Sequence, residues 1–496
     1  MMKNYKKIIG LFLAFSIAVS CNDAIEIDQP GRLGAEQAFN SVADLQLGLL
    51  GAYSNYDQTP EIQFNAIFTD ELSIGSDNGG QGLGGDYAFV LNPGSTFPRV
   101  LWTNYYAALN SINRVLVAAE GIVPEAGDQA QYNDIKGQAL ALRAYAHFQL
   151  LSYLSPDLTD DSSLGTIILD FVPTIDQTLP RNTTGEVFGS ILSDLDSAEP
   201  LLADAANATF VSTSFVRALK ARIALYRKQY TQADALAAGL VSDFPLANRS
   251  QYVNLFDDSG NSEVIFKLER TVGDGYDRQG STGSAAAGGW AGANFAFVNG
   301  TIDGSPYFEI GRSLFNLLDP NDVRYDVNVH PTSLINPNYA TSPDAKGTDI
   351  LVVGKYTGSE GQPLMNDLKI FRSAEMVLIR AEAAVAANNL AGAAGYIKQL
   401  RDARFNAAQP LPTYASQQIA YADILNERRI EFAFEGHRYL DLKRIGVAAN
   451  QGVLRDPVDC AINGACDLAA SDFRFAAPIP LVELNANPVI QQNPQY

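Results

Sequence analysis

The chain is poor in the residues that build metal, redox and nucleophilic centres. Its 496 residues include three cysteines, three histidines and two tryptophans. The histidines, His147, His330 and His437, are scattered and offer no zinc-ligand spacing. No phosphate-binding loop with its lysine and no Gly-x-Ser-x-Gly elbow occurs. We therefore expect neither a metal nor a cofactor.

Basic residues are scarce as well. Lysine and arginine number 35 against 55 acidic residues, which gives a formal net charge of −20. A field of this sign repels phosphate backbones, so the composition excludes nucleic acid as a partner class and disfavours strongly anionic glycans. Hydrophobic residues make up 47% and charged residues 18% of the chain. This balance is typical of a globular protein with a sizeable core.

The apolar run at residues 8–19 is too short to span a bilayer. Lys3, Lys6 and Lys7 precede it, and Cys21 follows it directly. This order is typical of a bacterial lipoprotein signal, in which the cysteine receives the lipid. We expect a signal peptide at residues 1–20, a lipidated tether at residues 21–32 and anchoring to the outer membrane. The alternative is an ordinary secretory signal with an unrelated cysteine.

Two cysteines, Cys460 and Cys466, follow the signal region. They flank a short polar segment whose glycine could turn the chain. In an exported protein this arrangement favours a local disulfide, and two free thiols are the alternative.

Most of the remaining chain has helical periodicity, so the fold class is predicted to be mainly α. Residues 41–54, 102–120 and 135–154 each carry an apolar stripe at helical spacing. Residues 215–240 and 375–401 each suggest a helical hairpin, with alanines placed so that paired helices can approach closely. Three polar, glycine-rich insertions interrupt the helices near residues 73–99, 271–306 and 330–367. Long insertions of this kind are usually functional or disordered.

Six ordered sequence blocks resemble the SusD/RagB family from end to end. The blocks are residues 101–113, 137–145 (GQALALRAY), 218–226 (ALKARIALY), 371–383 (FRSAEMVLIRAEA), 427–442 (ERRIEFAFEGHRYLDL) and 478–494. The resemblance implies one domain over residues 33–496. Its scaffold would be four tetratricopeptide-like hairpins, with loop-rich insertions forming the ligand face. Asp23, Glu26 and Asp28, just after Cys21, resemble the surface-export signal of Bacteroidetes lipoproteins.

The family resemblance implies a binding protein and not an enzyme. Members bind a nutrient, commonly a glycan, and deliver it to a SusC-like TonB-dependent transporter. We therefore expect an oligo- or polysaccharide ligand, with peptide capture by a RagB-like uptake system as the alternative.

Glu427, Glu431 and Glu435 are spaced to share one helical face, and this spacing suggests a catalytic interpretation. Basic residues nearby favour structural ion pairs. The expected partners are Arg428, Arg429, Arg438, Lys443 and Arg444.

A neutral-glycan site needs aromatic platforms beside hydrogen-bonding side chains. The second insertion offers Tyr276, Trp290, Asn294, Phe295 and Phe297, and the first offers Asp77, Asn78, Tyr87 and Phe89. Small residues on both sides of Trp290 predict an accessible indole. The alternative for Trp290, Tyr87 and Phe89 is that they anchor their loops in the scaffold. Trp102, within a predicted helix, is expected in the core.

Overall fold

Helices dominate the part of the chain that the structure describes, which confirms the predicted fold class. This computed structural model describes residues 38–76, 78–174, 176–203, 207–274, 289–296, 302 and 306–496. The predicted signal peptide, tether and Cys21 lie outside the described residues, as do Asp77, Tyr276 and Phe297.

The helices follow the predicted pattern, with some earlier starts. In chain order they are α1 Val42–Tyr53, α2 Thr59–Phe68, α3 Thr96–Glu120, α4 Gln129–Leu154, α5 Thr184–Ala198, α6 Thr213–Tyr226, α7 Tyr230–Asp243, α8 Arg249–Phe256, α9 Arg312–Phe315, α10 Val323–Asn328, α11 Ala345–Thr348, α12 Ser373–Ala386, α13 Leu390–Arg404, α14 Gln417–Glu431, α15 Arg438–Ala449, α16 Pro457–Cys460 and α17 Leu481–Ala486. Helix α3 begins before the expected Trp102, so its first turns replace the end of the predicted first insertion. Polar caps fix several starts, such as the reciprocal capping box of Thr183 and Glu186 at α5.

Helix α4 lies at the centre of the packing. Every residue from Ala144 to Leu154 is buried, because α4 contacts α3 on one side and α5 on the other. A helix that is buried all round must satisfy its polar side chains internally. His147 does so by accepting the N–H of Leu169 at Nε2, and burial lowers its pKa to about 3. Within the described residues, no helix has the length and apolar content needed to cross a bilayer.

Two helical hairpins, α6–α7 and α12–α13, share one turn geometry. Lys228 and Asn388 occupy the left-handed backbone region with φ of 56° in both turns. The next residue in each turn donates its N–H to the carbonyl of an alanine, Ala224 or Ala384. The two hairpins are neighbours, because α7 packs against α12. The sequence prediction of two similar hairpins is confirmed.

Short antiparallel strand pairs connect the insertions to the scaffold. The strands are β1 Leu72–Ile74, β2 Val264–Leu268, β3 Phe308–Ile310, β4 Gly358–Ser359, β5 Gln362–Pro363, β6 Leu368–Arg372, β7 Val453–Leu454 and β8 Asp467–Leu468. They pair as β1–β3, β2–β6, β4–β5 and β7–β8. The β1–β3 pair joins the first insertion to the end of the second.

A buried ion network holds the scaffold helices to the strands. It consists of Glu263, Asp322, Arg324, Lys355, Arg372, Arg404, Glu427, Glu431 and Glu435, and no side chain in it is more than 4% exposed. Arg372, at the end of β6, lies 2.6 Å from Glu263, 2.9 Å from Glu431 and 2.9 Å from Glu435. Arg404 of α13 binds the same Glu263 and Glu431, at 3.0 and 2.9 Å.

The glutamates therefore form structural ion pairs, but the predicted partners are wrong. Arg428 pairs with Asp441, Arg429 and Arg438 with Asp70, and Arg444 with Glu382 and Asp441. Lys443 donates to two main-chain carbonyls, those of Ser152 and Ser155. The helical-face argument also fails at Glu435, because α14 ends at Glu431. The real partners come from distant segments, which helical spacing does not reveal.

Glu431 is the acidic centre of the network. Burial by itself would raise its pKa, but the guanidiniums of Arg404, Arg372 and Arg324 outweigh burial and hold the pKa well below its usual range. The carboxylate is therefore charged at neutral pH and pairs with three arginines, which the other carboxylates of the network help to neutralise.

Replacing Glu431 with alanine should destabilise the fold strongly. Removing one partner leaves buried guanidiniums uncompensated, so we expect the free energy of unfolding in urea to fall by about 3–5 kcal/mol. The control is Asp402→Ala, which breaks a more exposed pair with Lys398 and should change that free energy by less than about 1 kcal/mol. Equal, small effects of the two variants would contradict a central role for the network.

Candidate ligand-binding groove

A groove of about 750 Å³ lies where the first two insertions meet the scaffold. It is lined by α2, which we call the floor, and by the start of α3 and the segment of residues 82–95, which we call its two walls. Gly289 and Asn294 of the second insertion, with Tyr307 and Phe308 just after it, close one end of the groove. The polar side chains that line it are Asp57, Thr59, Gln63, Asp86, Asn92, Ser95, Thr96, Arg99, Thr103, Asn104, Asn294 and Tyr307.

The β1–β3 pair brings the two insertions together. Ile74 pairs with Phe308, and the N–H of Gly75 donates to the carbonyl of Tyr307 at 3.0 Å. A Cβ atom at Gly75 would lie 2.1 Å from the carbonyl oxygen of Pro306, so only glycine permits this approach. The contact places Tyr307 on the rim of the groove.

The α3 wall presents a row of polar groups. Thr96, Arg99, Thr103 and Asn104 share one helical face and all line the groove. The helical rise spreads this row over about 12 Å. Arg99 is the one cationic side chain among the described lining residues.

The wall of residues 82–95 carries Asp86 on a single 3-10 turn, Asp86–Ala88. Its neighbour Tyr87 is fully buried and donates its hydroxyl to the carbonyl of Asp459 at 3.1 Å. Phe89 ends the turn in the left-handed region, with φ of 57°, and packs edge-on against Phe68 of the α2 floor. Two buried rings therefore fix the turn while Asp86 stays at the groove surface.

Asp86 has the electrostatics of a ligand-binding carboxyl. Its carboxylate has no hydrogen-bond or ion-pair partner among the residues that the structure describes, and burial raises its pKa to about 6. A half-buried carboxyl without an internal partner is poised to accept hydrogen bonds from a bound molecule.

Arg270 secures the closed end of the groove. It donates to the Asp57 carboxylate at 3.0 Å and to the carbonyl of Gly289 at 3.1 Å. The hydroxyl of Thr59 donates to the same carbonyl at 2.9 Å. Asn294 follows on a 3-10 turn and donates from Nδ2 to the carbonyl of Thr59 at 3.3 Å. The second insertion is thus attached to the start of α2.

The prediction that Trp290 has an accessible indole is wrong. Trp290 is 8% exposed, and its Nε1 donates to the carbonyl of Thr271 at 3.2 Å. Phe295 is fully buried, stacked 6.0 Å from the ring of Tyr356 and edge-on to Phe434. Both aromatic residues anchor their loop, which for Trp290 is the alternative interpretation given above. Of the second-insertion candidates that the structure describes, Asn294 alone lines the groove.

The first-insertion candidates are buried too. Tyr87 and Phe89 fix the turn from beneath and offer no platform to a ligand. Asn78 is 1% exposed, and its Nδ2 donates to the carbonyl of Tyr307 at 3.1 Å. It therefore supports the rim from inside.

Sequence reasoning missed most of the groove surface. Gln63 lies on α2, and Arg99 lies on the first turns of α3, which the prediction did not include. Thr103 and Asn104 lie within the predicted helix of residues 102–120 but were not assigned to the site. Tyr307 lies just after the assigned second insertion. The signals for Asp86 and Asn92 were their positions among the glycines and prolines of the first insertion.

Other predicted features lie away from the groove. Cys460 and Cys466 are joined by the expected disulfide, with sulfur atoms 1.99 Å apart. Glu427, Glu431 and Glu435 belong to the buried ion network and do not line the groove. Over the described ranges, no three histidine, cysteine, aspartate or glutamate residues cluster as metal ligands would.

Buried indoles predict a clear fluorescence result. Trp102 and Trp290 are both at least nine-tenths buried, so iodide should quench the native protein weakly. Quenching should rise to that of free tryptophan after unfolding in guanidinium chloride. Trp102→Phe isolates Trp290, and strong native quenching in that variant would show the indole to be exposed after all.

Two sequence models of one family match the chain. The SusD family model matches residues 321–496, and a model described as starch-binding and associating with the outer membrane matches residues 39–225. The family consists of binding proteins.

Curated relatives extend the similarity along the chain. Two SusD-like proteins of Formosa agariphila, P2 and P38, are 24% and 25% identical. They cover 90% and 100% of this chain and 91% and 100% of their own lengths. The starch-binding protein SusD of Bacteroides thetaiotaomicron is 31% identical, over 30% of this chain and 26% of its own length.

Solved structures share the fold. A SusD superfamily protein of Bacteroides thetaiotaomicron has a TM-score of 0.74 at 23% identity, covering 92% of this chain and 100% of its own. A Bacteroides vulgatus protein that is provisionally described as sugar-binding has a TM-score of 0.72 at 24% identity, with coverage of 92% and 99%. A laminarin-binding SusD-like protein has a TM-score of 0.68 at 21% identity, with coverage of 92% and 100%. The fold, the matched segments and the relatives agree, and the chain belongs to the SusD/RagB family.

Proposed function

We propose that this protein captures a neutral oligosaccharide or polysaccharide at the outer membrane and passes it to a SusC-like TonB-dependent transporter. The observation that carries the proposal is the groove itself. Amide, hydroxyl and carboxyl groups from α2, α3 and two insertions converge on a space of about 750 Å³. The protein binds and delivers its ligand, and no catalytic step is part of the proposal.

The groove chemistry suits the hydroxyl groups of a glycan. Amides and carboxylates hydrogen-bond paired hydroxyls with defined orientation, and the half-buried Tyr307 offers one ring for the apolar face of a sugar. Asp57 is neutralised by Arg270, which leaves Asp86 and Arg99 as one negative and one positive charge among the lining residues. This balance favours a neutral ligand over a polyanion.

The relatives support a carbohydrate ligand without identifying it. One matching family model is described as starch-binding, and one structural neighbour binds laminarin. Both polysaccharides are neutral glucans, so they are rational first probes. The identity between this chain and these proteins is too low to transfer a specific sugar.

The route to the membrane is also part of the proposal. Lipid attached to Cys21 and a tether at residues 21–32 would hold the domain of residues 33–496 at the outer membrane, facing the exterior. Mass spectrometry of the N-terminal peptide from cells tests the anchor, since Cys21→Ser should abolish lipid attachment and release the protein from the membrane.

Calorimetry of the purified protein against laminarin, soluble starch and other neutral polysaccharides tests ligand capture. We expect saturable binding to at least one of them. Binding to peptides with no binding to any glycan would transfer the assignment to peptide uptake. No binding to either class would refute ligand capture.

Asp86→Asn should weaken glycan binding by about tenfold, because a hydrogen bond to a charged acceptor contributes roughly 1.5–3 kcal/mol. Asp128→Asn is the matched control. Asp128 is exposed and does not line the groove, so the same change of charge there should leave affinity unaltered. Equal affinities for the two variants would remove Asp86 from the site.

The affinity of the wild type should also depend on pH. Burial raises the pKa of Asp86 to about 6, so its carboxyl is largely protonated at pH 5 and ionised at pH 7.5. The ionised form is the better acceptor, so affinity should rise as the pH increases through about 6. The Asp86→Asn variant should give a flat profile over this interval.

A further inference from the structure

Arg455 is a buried arginine that binds carbonyls in place of a carboxylate. It is 2% exposed, and no carboxylate among the described residues lies within ion-pair distance of it. The guanidinium donates to the carbonyls of Ile67 at 2.8 Å, Thr69 at 2.9 Å and Ala465 at 2.9 Å, and also to that of Tyr87. Burial lowers its pKa to about 10, so it keeps its charge at neutral pH.

These carbonyls belong to both sides of the groove. Ile67 and Thr69 are at the C-terminal end of the α2 floor, where unpaired carbonyls and the helix dipole favour a cation. Tyr87 belongs to the wall that carries Asp86. Ala465 lies next to Cys466 of the disulfide. One side chain therefore connects the floor, the wall and the disulfide loop.

The guanidinium also lies against the rings that fix the wall. Its central carbon is 4.0 Å from the ring centroid of Tyr87 and 4.3 Å from that of Phe89. Phe89 holds a left-handed backbone conformation that only its surroundings can maintain. Arg474 reinforces the position by donating to the Phe89 carbonyl at 2.9 Å.

We infer that Arg455 is a positioning residue for ligand binding, which sets the distance and orientation of the Asp86 wall relative to the α2 floor without touching the ligand. The inference rests on the proposed function of the groove. Lysine cannot replace this arginine, because its compact ammonium lacks the planar fork that reaches separate carbonyls and lies flat on aromatic rings.

The matched control for Arg455→Lys is Arg181→Lys. Arg181 also has no carboxylate partner among the described residues and binds the carbonyls of Leu154, Leu164, Gly165 and Gln491. Burial lowers its pKa to about 10 as well, and it does not line the groove. Both variants should lower the melting temperature, which measures the structural role common to the two arginines.

Affinity for laminarin and soluble starch distinguishes the positioning role of Arg455 from the structural role that it shares with Arg181. Arg455→Lys should weaken the binding seen with the wild type by at least about tenfold, whereas Arg181→Lys should change it by less than about twofold. Combining Arg455→Lys with Asp86→Asn should weaken binding no further than the stronger single variant, because both act through one carboxylate. Additive effects, or equal affinities of the two lysine variants, would overturn the inference.

Hydrogen–deuterium exchange supplies a second measurement that needs no ligand. In Arg455→Lys, amides of residues 83–91 should exchange faster than in the wild type, and in Arg181→Lys they should not. If the wild type binds no glycan, the proposed function fails while faster exchange still shows that Arg455 positions the wall. Unchanged exchange in Arg455→Lys would overturn the inference by itself.

Discussion

The structure depends on charges that are removed from water and compensated inside the protein. The ion network centred on Glu431 draws α10, α13 and α14 onto the end of β6 and the start of β2. Bringing such groups out of water costs free energy, and the Coulomb attraction offsets that cost only when every partner is in place. An incomplete network is therefore costly, which disfavours arrangements of the elements that separate these partners.

The scaffold and the groove use different chemistry. In the scaffold, arginines meet carboxylates that are themselves buried. Around the groove, Arg455 meets main-chain carbonyls, and Arg270 meets two carbonyls and one carboxylate. Carbonyl contacts can hold irregular segments that have no helix or strand of their own. Because other groups hold its wall, the carboxyl of Asp86 needs no partner among the described residues, and under the proposed function it is available to a ligand.

Periodicity was sufficient to predict the helices of residues 41–54, 102–120 and 135–154, because the spacing of their apolar residues is visible in the sequence. The α6–α7 and α12–α13 hairpins follow the predicted pattern for this reason. The groove was predicted by region but not by residue. Trp290, Phe295, Tyr87 and Phe89 were assigned to the ligand because they lie in glycine-rich insertions, yet burial of a large ring stabilises such a loop more than exposure does. Most of the polar lining residues have no comparable local signature, since residues such as Gln63 and Arg99 come together only after the chain has folded.

The attachment of the Asp86 wall through main-chain oxygen atoms has an evolutionary consequence. A carbonyl oxygen is present whatever side chain a residue carries, so Arg455 can hold residues 82–95 while the side chains facing the groove change. Under the proposed function, substitutions at Asp86 or Asn92 would then alter selectivity at little cost in folding. Single mutations on this wall can therefore change the specificity for a nutrient. Selection for a stable fold acts on residues elsewhere.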